Sequence, residues 1–137
     1  MPAFLDTNIL LYAASTAAAE ADKSRVARAL LTQGNWRLST QVVQEFYVNA
    51  VRKLAHPLSE KSALAFIKQI TAIEPIPIDL GVVLRGIQLC KRYQLSYWDG
   101  AILAAAQLGG CETLYSEDLN HGQHYGDIRV LNPFIAA

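Results

Sequence analysis

Over most of this chain, the short apolar runs that read as strands are separated by segments of helical period, and that alternation leaves few ways to fold. Strand, helix, strand in succession builds a mainly parallel sheet sandwiched by helices, an α/β class. A chain of 137 residues is enough for one such domain and argues against a second. The strand-like runs are the one ending in Phe4-Leu5, then Trp36-Arg37-Leu38-Ser39, Glu112 to Ser116, and Ile128 to Leu131. No internal repeat or linker interrupts them.

Two places embed an acid in apolar sequence. Asp6 lies in the run Pro2 to Tyr12, at a strand's carboxyl end and beside the amino terminus of a helix carrying Ile9, Leu10, Leu11 and Tyr12. Ligands of open α/β sheets bind outside the carboxyl ends of the strands, so a carboxylate there is well placed for chemistry. Capping alone would also explain it, because Asp is a preferred N-cap residue; Thr7 or Asn8 can cap the same helix. Asp99 is the second such acid, in Ser96 to Ala106, a helix apolar nearly all round and hence buried. Ser96 and Asp99 have the spacing of a capping box, and helix amino termini also hold anions and ligands.

Three further acids are candidates. Glu117 and Asp118 follow the strand-like Glu112 to Ser116 and repeat the arrangement at Asp6. Glu45 belongs to a helix opened by Ser39 or Thr40, whose stripe of Val42, Val43, Phe46, Tyr47, Ala50, Val51 and Leu54 faces a core at about 100° per residue. Glu45, Asn49 and Arg52 fall on the other side, a polar face that ordinarily is just solvated.

The remaining segments read as scaffold. A helix with Val26, Ala27, Leu30 and Leu31 on one side ends at Gly34-Asn35. Ser59 caps another that buries Ala63, Leu64, Phe66, Ile67 and Ile70, and Asp79 caps a third with Val82, Val83, Ile87, Leu89 and Cys90, ending in Lys91-Arg92. Glu74-Pro75-Ile76-Pro77-Ile78 is too rich in proline for a central strand and is an edge strand or an extended connection. Leu119 to Asp127 reads as a loop. Its His121 and His124, without a cysteine pair, lack the ligand set zinc needs.

Twelve basic and twelve acidic residues balance, so bulk positive charge does not hold nucleic acid here. If several acids share a pocket, the remaining surface is basic on balance. Arg25, Arg28, Arg37 and Arg52 are then candidates for phosphate contacts, although each alone fits a solvated role. Cys90 and Cys111 form no C-x-x-C and read as reduced structural thiols. No run is long and apolar enough for a membrane span, and no cation precedes the apolar start as in a signal peptide, which predicts a soluble, cytoplasmic protein with no membrane partner.

Asp6, Glu45, Asp99 and Asp118 can meet if the strand ends and helix amino termini share one sheet edge. Clustered carboxylates repel one another and raise their own pKa values unless cations neutralise them. Oxygen ligands alone favour hard ions, Mg²⁺ or Mn²⁺. Such clusters serve phosphoryl transfer, which makes phosphodiester hydrolysis the natural expectation. A phosphatase with Asp6 as nucleophile is a weaker alternative, because the second aspartate expected two positions on is Asn8.

Five segments in order, Phe4 to Leu10, Val42 to Asn49, Ser96 to Ile102, Leu114 to Leu119 and Asn132-Pro133-Phe134, resemble the PIN-domain family, and within it the VapC-type toxins. The resemblance runs from end to end, so that residues 1–137 are expected to form one PIN-like nuclease domain. It implies a metal-dependent endoribonuclease of a toxin–antitoxin pair, usually a homodimer, acting on RNA and neutralised by a cognate VapB-type antitoxin that inserts a basic or hydrophobic segment near the acidic pocket. Carried over by position, the acidic site falls on Asp6, Glu45, Asp99 and Asp118. Asp6, Asp99 and Asp118 are expected to bind Mg²⁺ or Mn²⁺ directly, with Glu45 on a second ion or orienting water. Thr7 or Asn8 and Ser116 are expected as polar supports, with Asn49 beside them. Glu117 could replace or assist Asp118. The alternative from another class is a PIN-like module that binds RNA or protein without catalysis.

Overall fold

The structure, a computed structural model, describes residues 1–135. Strand β1 (Ala3–Leu5) runs into helix α1 (Thr7–Ala14), and a short 3-10 turn leads to α2 (Ala21–Gln33). Then come β2 (Trp36–Arg37), α3 (Thr40–Arg52), α4 (Glu60–Ile70), α5 (Leu80–Tyr93) and α6 (Tyr97–Leu108). Strands β3 (Thr113–Tyr115), β4 (His124–Tyr125) and β5 (Ile128–Leu131) close the described chain. The sheet has the order β2-β1-β3-β5-β4, parallel throughout except for the antiparallel edge pair β4 and β5. The expected α/β class with a mainly parallel sheet and helices on its faces is therefore what forms.

The centre of the sheet explains its apolar runs. Phe4, Leu114 and Val130 stand in register on β1, β3 and β5, and all three are fully buried. Strands covered on both faces are near-continuously hydrophobic. Backbone pairing continues past the strand ends, where Asp6 N–H donates to the Tyr115 carbonyl (3.0 Å) and Ser116 N–H to the Leu131 carbonyl (3.1 Å). Those two bonds align the residues after β1 and β3 at one edge.

Helices α5 and α6 pack at close range through glycine. A β-carbon on Gly100 would lie 2.5 Å from the Gly86 carbonyl oxygen and 2.9 Å from Cys90 Cβ. No larger residue fits that crossing, and it sets the height of the first turn of α6, where Asp99 sits.

Several expectations need correction. The cap of α1 is Asp6 itself, neither Thr7 nor Asn8, because its extended backbone (φ −73°, ψ 163°) lets the carboxylate take the Thr7 N–H. The second strand ends at Arg37; Ser39 instead makes a single parallel bridge with Ile76. Glu74 to Ile78 is accordingly an extended connection rather than an edge strand. Leu64 on α4 is 50% exposed, since the helix turns Ala63, Phe66, Ile67 and Ile70 inward and leaves it outside. Leu119 to Asp127 is not all loop. Gly126, at φ 61°, and Asp127 form a two-residue turn that folds His124 and Tyr125 back on β5, and Tyr125 is buried edge-on against Tyr93 at 5.0 Å. Glycine's tolerance of positive φ permits that turn.

Candidate active site

The parallel sheet and its flanking helices bring together residues far apart in sequence. Asp6, Thr7, Asn8, Glu45, Asn49, Asp99 and Asp118 line one pocket of about 250 Å³, with Leu11, Gln41, Trp98 and Ile102 completing its wall. Asp6 follows β1, Asp118 follows β3 by three residues, and Asp99 lies in the first turn of α6. Glu45 faces in from α3, on a row with Gln41 and Asn49 that flanks the buried Val42, Phe46 and Ala50.

Asp6 is the most constrained of the acids. It is 5% exposed; Oδ1 accepts from Thr7 N–H (2.7 Å) and Oδ2 from Ser116 Oγ (2.7 Å). Burial pushes its pKa up to about 7, with repulsion from Asp118 and Asp99 adding to the rise and the bonds from Ser116 and Thr7 opposing it. Burial also raises Asp99, against the lowering effect of Ser96 and with a further rise from Asp118. Ser96 caps α6, its Oγ accepting from Asp99 N–H at 3.1 Å, which is the serine half of the expected capping box. Asp6 both caps α1 and lines the pocket, while Asp99 lines it from the turn that Ser96 caps.

The polar neighbours orient the carboxylates. Thr7 Oγ1 donates to Glu45 Oε1 (2.8 Å), and Asn8 Nδ2 donates to Asp118 Oδ2 (3.2 Å). Ser116, fully buried behind Asp6, also accepts the Asp118 N–H at 3.1 Å. Asn49 lines the pocket while its amide Nδ2 is engaged by the Glu45 backbone carbonyl (2.8 Å).

Glu117 lies elsewhere. Tyr12 Oη donates to its Oε1 at 2.7 Å, and Lys23 Nζ pairs with Oε2. Lys23 also lies 4.8 Å from the centre of the Tyr12 ring, so Glu117 is held on the α1–α2 side while Asp118 turns to the pocket. Successive residues leaving a strand point to opposite sides, which is why only one of the two can face inward.

The arginines read as phosphate contacts do not line this pocket. Arg25 pairs with Asp22, Arg28 Nε donates to the Ala13 carbonyl, and Arg37 donates weakly to the Glu74 carbonyl at 3.4 Å. Arg52 is exposed near the end of α3. Four lining residues were missed from sequence, of which Leu11 and Ile102 supply only apolar wall. Gln41 precedes Glu45 and Asn49 by one and two helical turns, a signal the polar face already carried. Trp98, next to Asp99, carried no such signal.

The donor set is oxygen only, and three of its carboxylates raise or repel one another, so a hard divalent cation fits the chemistry of the pocket. Among the described residues no three His, Cys, Asp or Glu side chains already converge tightly enough to hold an ion together. Nor is any helix there long and apolar enough to cross a membrane.

A parallel sheet that gathers oxygen ligands outside its strand ends defines an α/β protein acting at that edge. The chain belongs to the PIN domain family, whose model matches residues 3–126. PIN domains are in general nucleases, typically metal-dependent. Among curated proteins, none matches the chain.

Proposed function

We propose that residues 1–137 form a single nuclease domain that hydrolyses RNA phosphodiester bonds internally with Mg²⁺ or Mn²⁺, and that the protein is the toxin of a VapC-type pair. The observation that carries the reading is the pocket shared by Asp6, Asp99, Asp118 and Glu45, with Asp6 driven up to about pKa 7 by burial and by two of its neighbours. A pocket with that much unneutralised acid gains most from a cation.

Asp6, Asp99 and Asp118 would hold the ion, and Glu45 would hold a second ion or position water. The bound metal would supply water activation and stabilisation of the attacking and leaving oxygens. Everything else falls to the chain. Ser116 and the Thr7 amide keep Asp6 in one orientation, Asn8 does so for Asp118, and Thr7 Oγ1 for Glu45. The wall of Leu11 and Ile102 limits water on the apolar side. Cytoplasmic location, a homodimer and a VapB-type antitoxin that occludes the acidic pocket complete the proposal, supported by the ordered sequence segments from Phe4 to Phe134.

One observation favours a second reading, a PIN-like module that binds without cutting: no three potential ligands among the described residues are already gathered for an ion. Total transfer and ribosomal RNA incubated with purified protein in Mg²⁺, in Mn²⁺ and in chelator separates the two. Discrete metal-dependent fragments, absent with Asp6→Asn, are expected. Absence of cleavage together with no Mn²⁺ uptake by calorimetry would establish the binding module instead.

A further inference from the structure

Of the chain's twelve aromatic residues, Trp98 alone is exposed, with 63% of its surface in solvent. It is also a lining residue of the acid pocket. Burial, the usual reason for a tryptophan, does not account for this one. Its backbone is nevertheless fixed. Gln41, itself 6% exposed, donates Nε2 to the Trp98 carbonyl at 3.2 Å and so ties the first turn of α6 to that of α3. Tyr97 meets the indole at 73° with 5.1 Å between ring centres, so no face-to-face stack occupies it.

The charge of the pocket adds the second half. Its lining contains four acids and no lysine or arginine. Coulomb attraction from the pocket wall therefore cannot hold a polyanion there, and the acids repel one until cations intervene. A neutral surface beside the acids can supply what they do not. Every nucleobase has an aromatic face and stacks on an indole without needing a particular hydrogen-bond partner.

We propose that Trp98 is a stacking platform for an unpaired base of the RNA, one that places the neighbouring phosphate over the acid pocket. The proposal rests on RNA being the substrate, as argued above. It makes Trp98 a positioning residue, tolerant of base identity and dependent on the base being free of a duplex, because paired bases do not expose their faces.

The test uses the full chain with Trp36→Phe, which leaves Trp98 as the single indole. Trp36 is half-buried, and its Nε1 donates to the Leu31 carbonyl. Fluorescence is followed during titration, in Ca²⁺, with a ten-nucleotide oligoadenylate and with an abasic chain of the same length. Quenching by the oligoadenylate and not by the abasic chain is expected. Read by anisotropy of dye-labelled oligonucleotides, Trp98→Ala is expected to weaken oligoadenylate binding about 5- to 100-fold, with Trp98→Phe keeping most of the affinity and abasic binding the same for the native chain and both variants. Equal oligoadenylate affinity for the native chain and Trp98→Ala, or no binding by the native chain, overturns the proposal. So does a change of oligomeric state with RNA affinity intact, which would assign the indole to a protein interface. Metal-dependent cleavage, scored separately on the native chain, keeps the two readings apart: base-dependent quenching without cleavage removes the nuclease and keeps the platform, while cleavage with undiminished Trp98→Ala affinity does the reverse.

Discussion

Ser116 Oγ donates to Asp6 Oδ2 at 2.7 Å, joining residues 110 positions apart at the ends of adjacent parallel strands. The same hydroxyl accepts the Asp118 N–H, so one buried serine sets the relative placement of two acids. Ser116→Ala removes both contacts. Stability should fall by about 1–3 kcal/mol, the cost of leaving buried polar groups unpaired, and the Asp6 titration should move upward because the bond that lowers it is gone. Chemical denaturation and the pH profile of Mn²⁺ binding check the two effects.

Asp6→Asn should abolish cleavage by at least about 100-fold, the scale on which one preorganised charge-stabilising group acts. The fold should survive, because Asn can still accept from the Thr7 amide and no longer carries a buried charge. A native circular-dichroism spectrum with a cooperative melt, alongside full nuclease activity, would remove Asp6 from the site.

Metal-free protein should lose stability as pH rises from about 4 to 7. Asp6 has a folded pKa raised from 3.8 to about 7, so the folded state binds its proton more tightly than the unfolded chain does. That contribution is complete below the unfolded value and is lost as pH passes through the folded one. At about 1.4 kcal/mol per unit, the loss is on the order of 4 kcal/mol over the whole window. Melting temperatures in chelator should fall accordingly, and Asp6→Asn should flatten the profile. An unchanged slope in that variant would assign the effect to other groups.

Asp118→Asn and Glu117→Gln should part company. Asp118 lines the pocket, so its replacement should suppress cleavage. Glu117 is bonded to Tyr12 and Lys23, with side-chain exposures of 26% for Glu117 and 42% for Lys23. Its replacement should leave cleavage near the parent value and cost less than about 1 kcal/mol, as for a solvent-screened pair. Comparable loss of activity in both variants would mean that the pair acts as a unit.

Gly100→Ala should destabilise by about 2–3 kcal/mol through overpacking at the α5–α6 crossing, where the added carbon meets the Gly86 carbonyl. A fold that tolerates it unchanged would show that the two helices can separate without cost.

Local chemistry in the chain determined a good deal. Alternating strand and helix patterns were enough for the α/β class, because a period of two or of 3.6 is written in neighbouring residues. Ser39, Ser59, Asp79 and Ser96 announced their helices, since a cap needs only a short polar side chain and the next turn's amides. Asp6, Asp99 and Asp118 stood out as acids at strand ends or a helix start. What required the tertiary structure was every choice between equivalent neighbours. Glu117 and Asp118 are both acids after the same strand, and only the Tyr12 and Lys23 side chains brought over by α1 and α2 draw one of them away. Asn8 reaches Asp118 and Ser116 reaches Asp6 across 110 residues, contacts that no local pattern encodes. His124 and Tyr125 pair as a strand because β5 lies beside them and Tyr93 covers the Tyr125 ring, while their own sequence reads as loop. Trp98 is apolar in sequence like most of α6, yet the packing of that helix on α5 leaves it in solvent at the rim of the acids. Propensity and period are properties of a segment; exposure and charge environment belong to the whole packed chain, and they decide which side chains form the site.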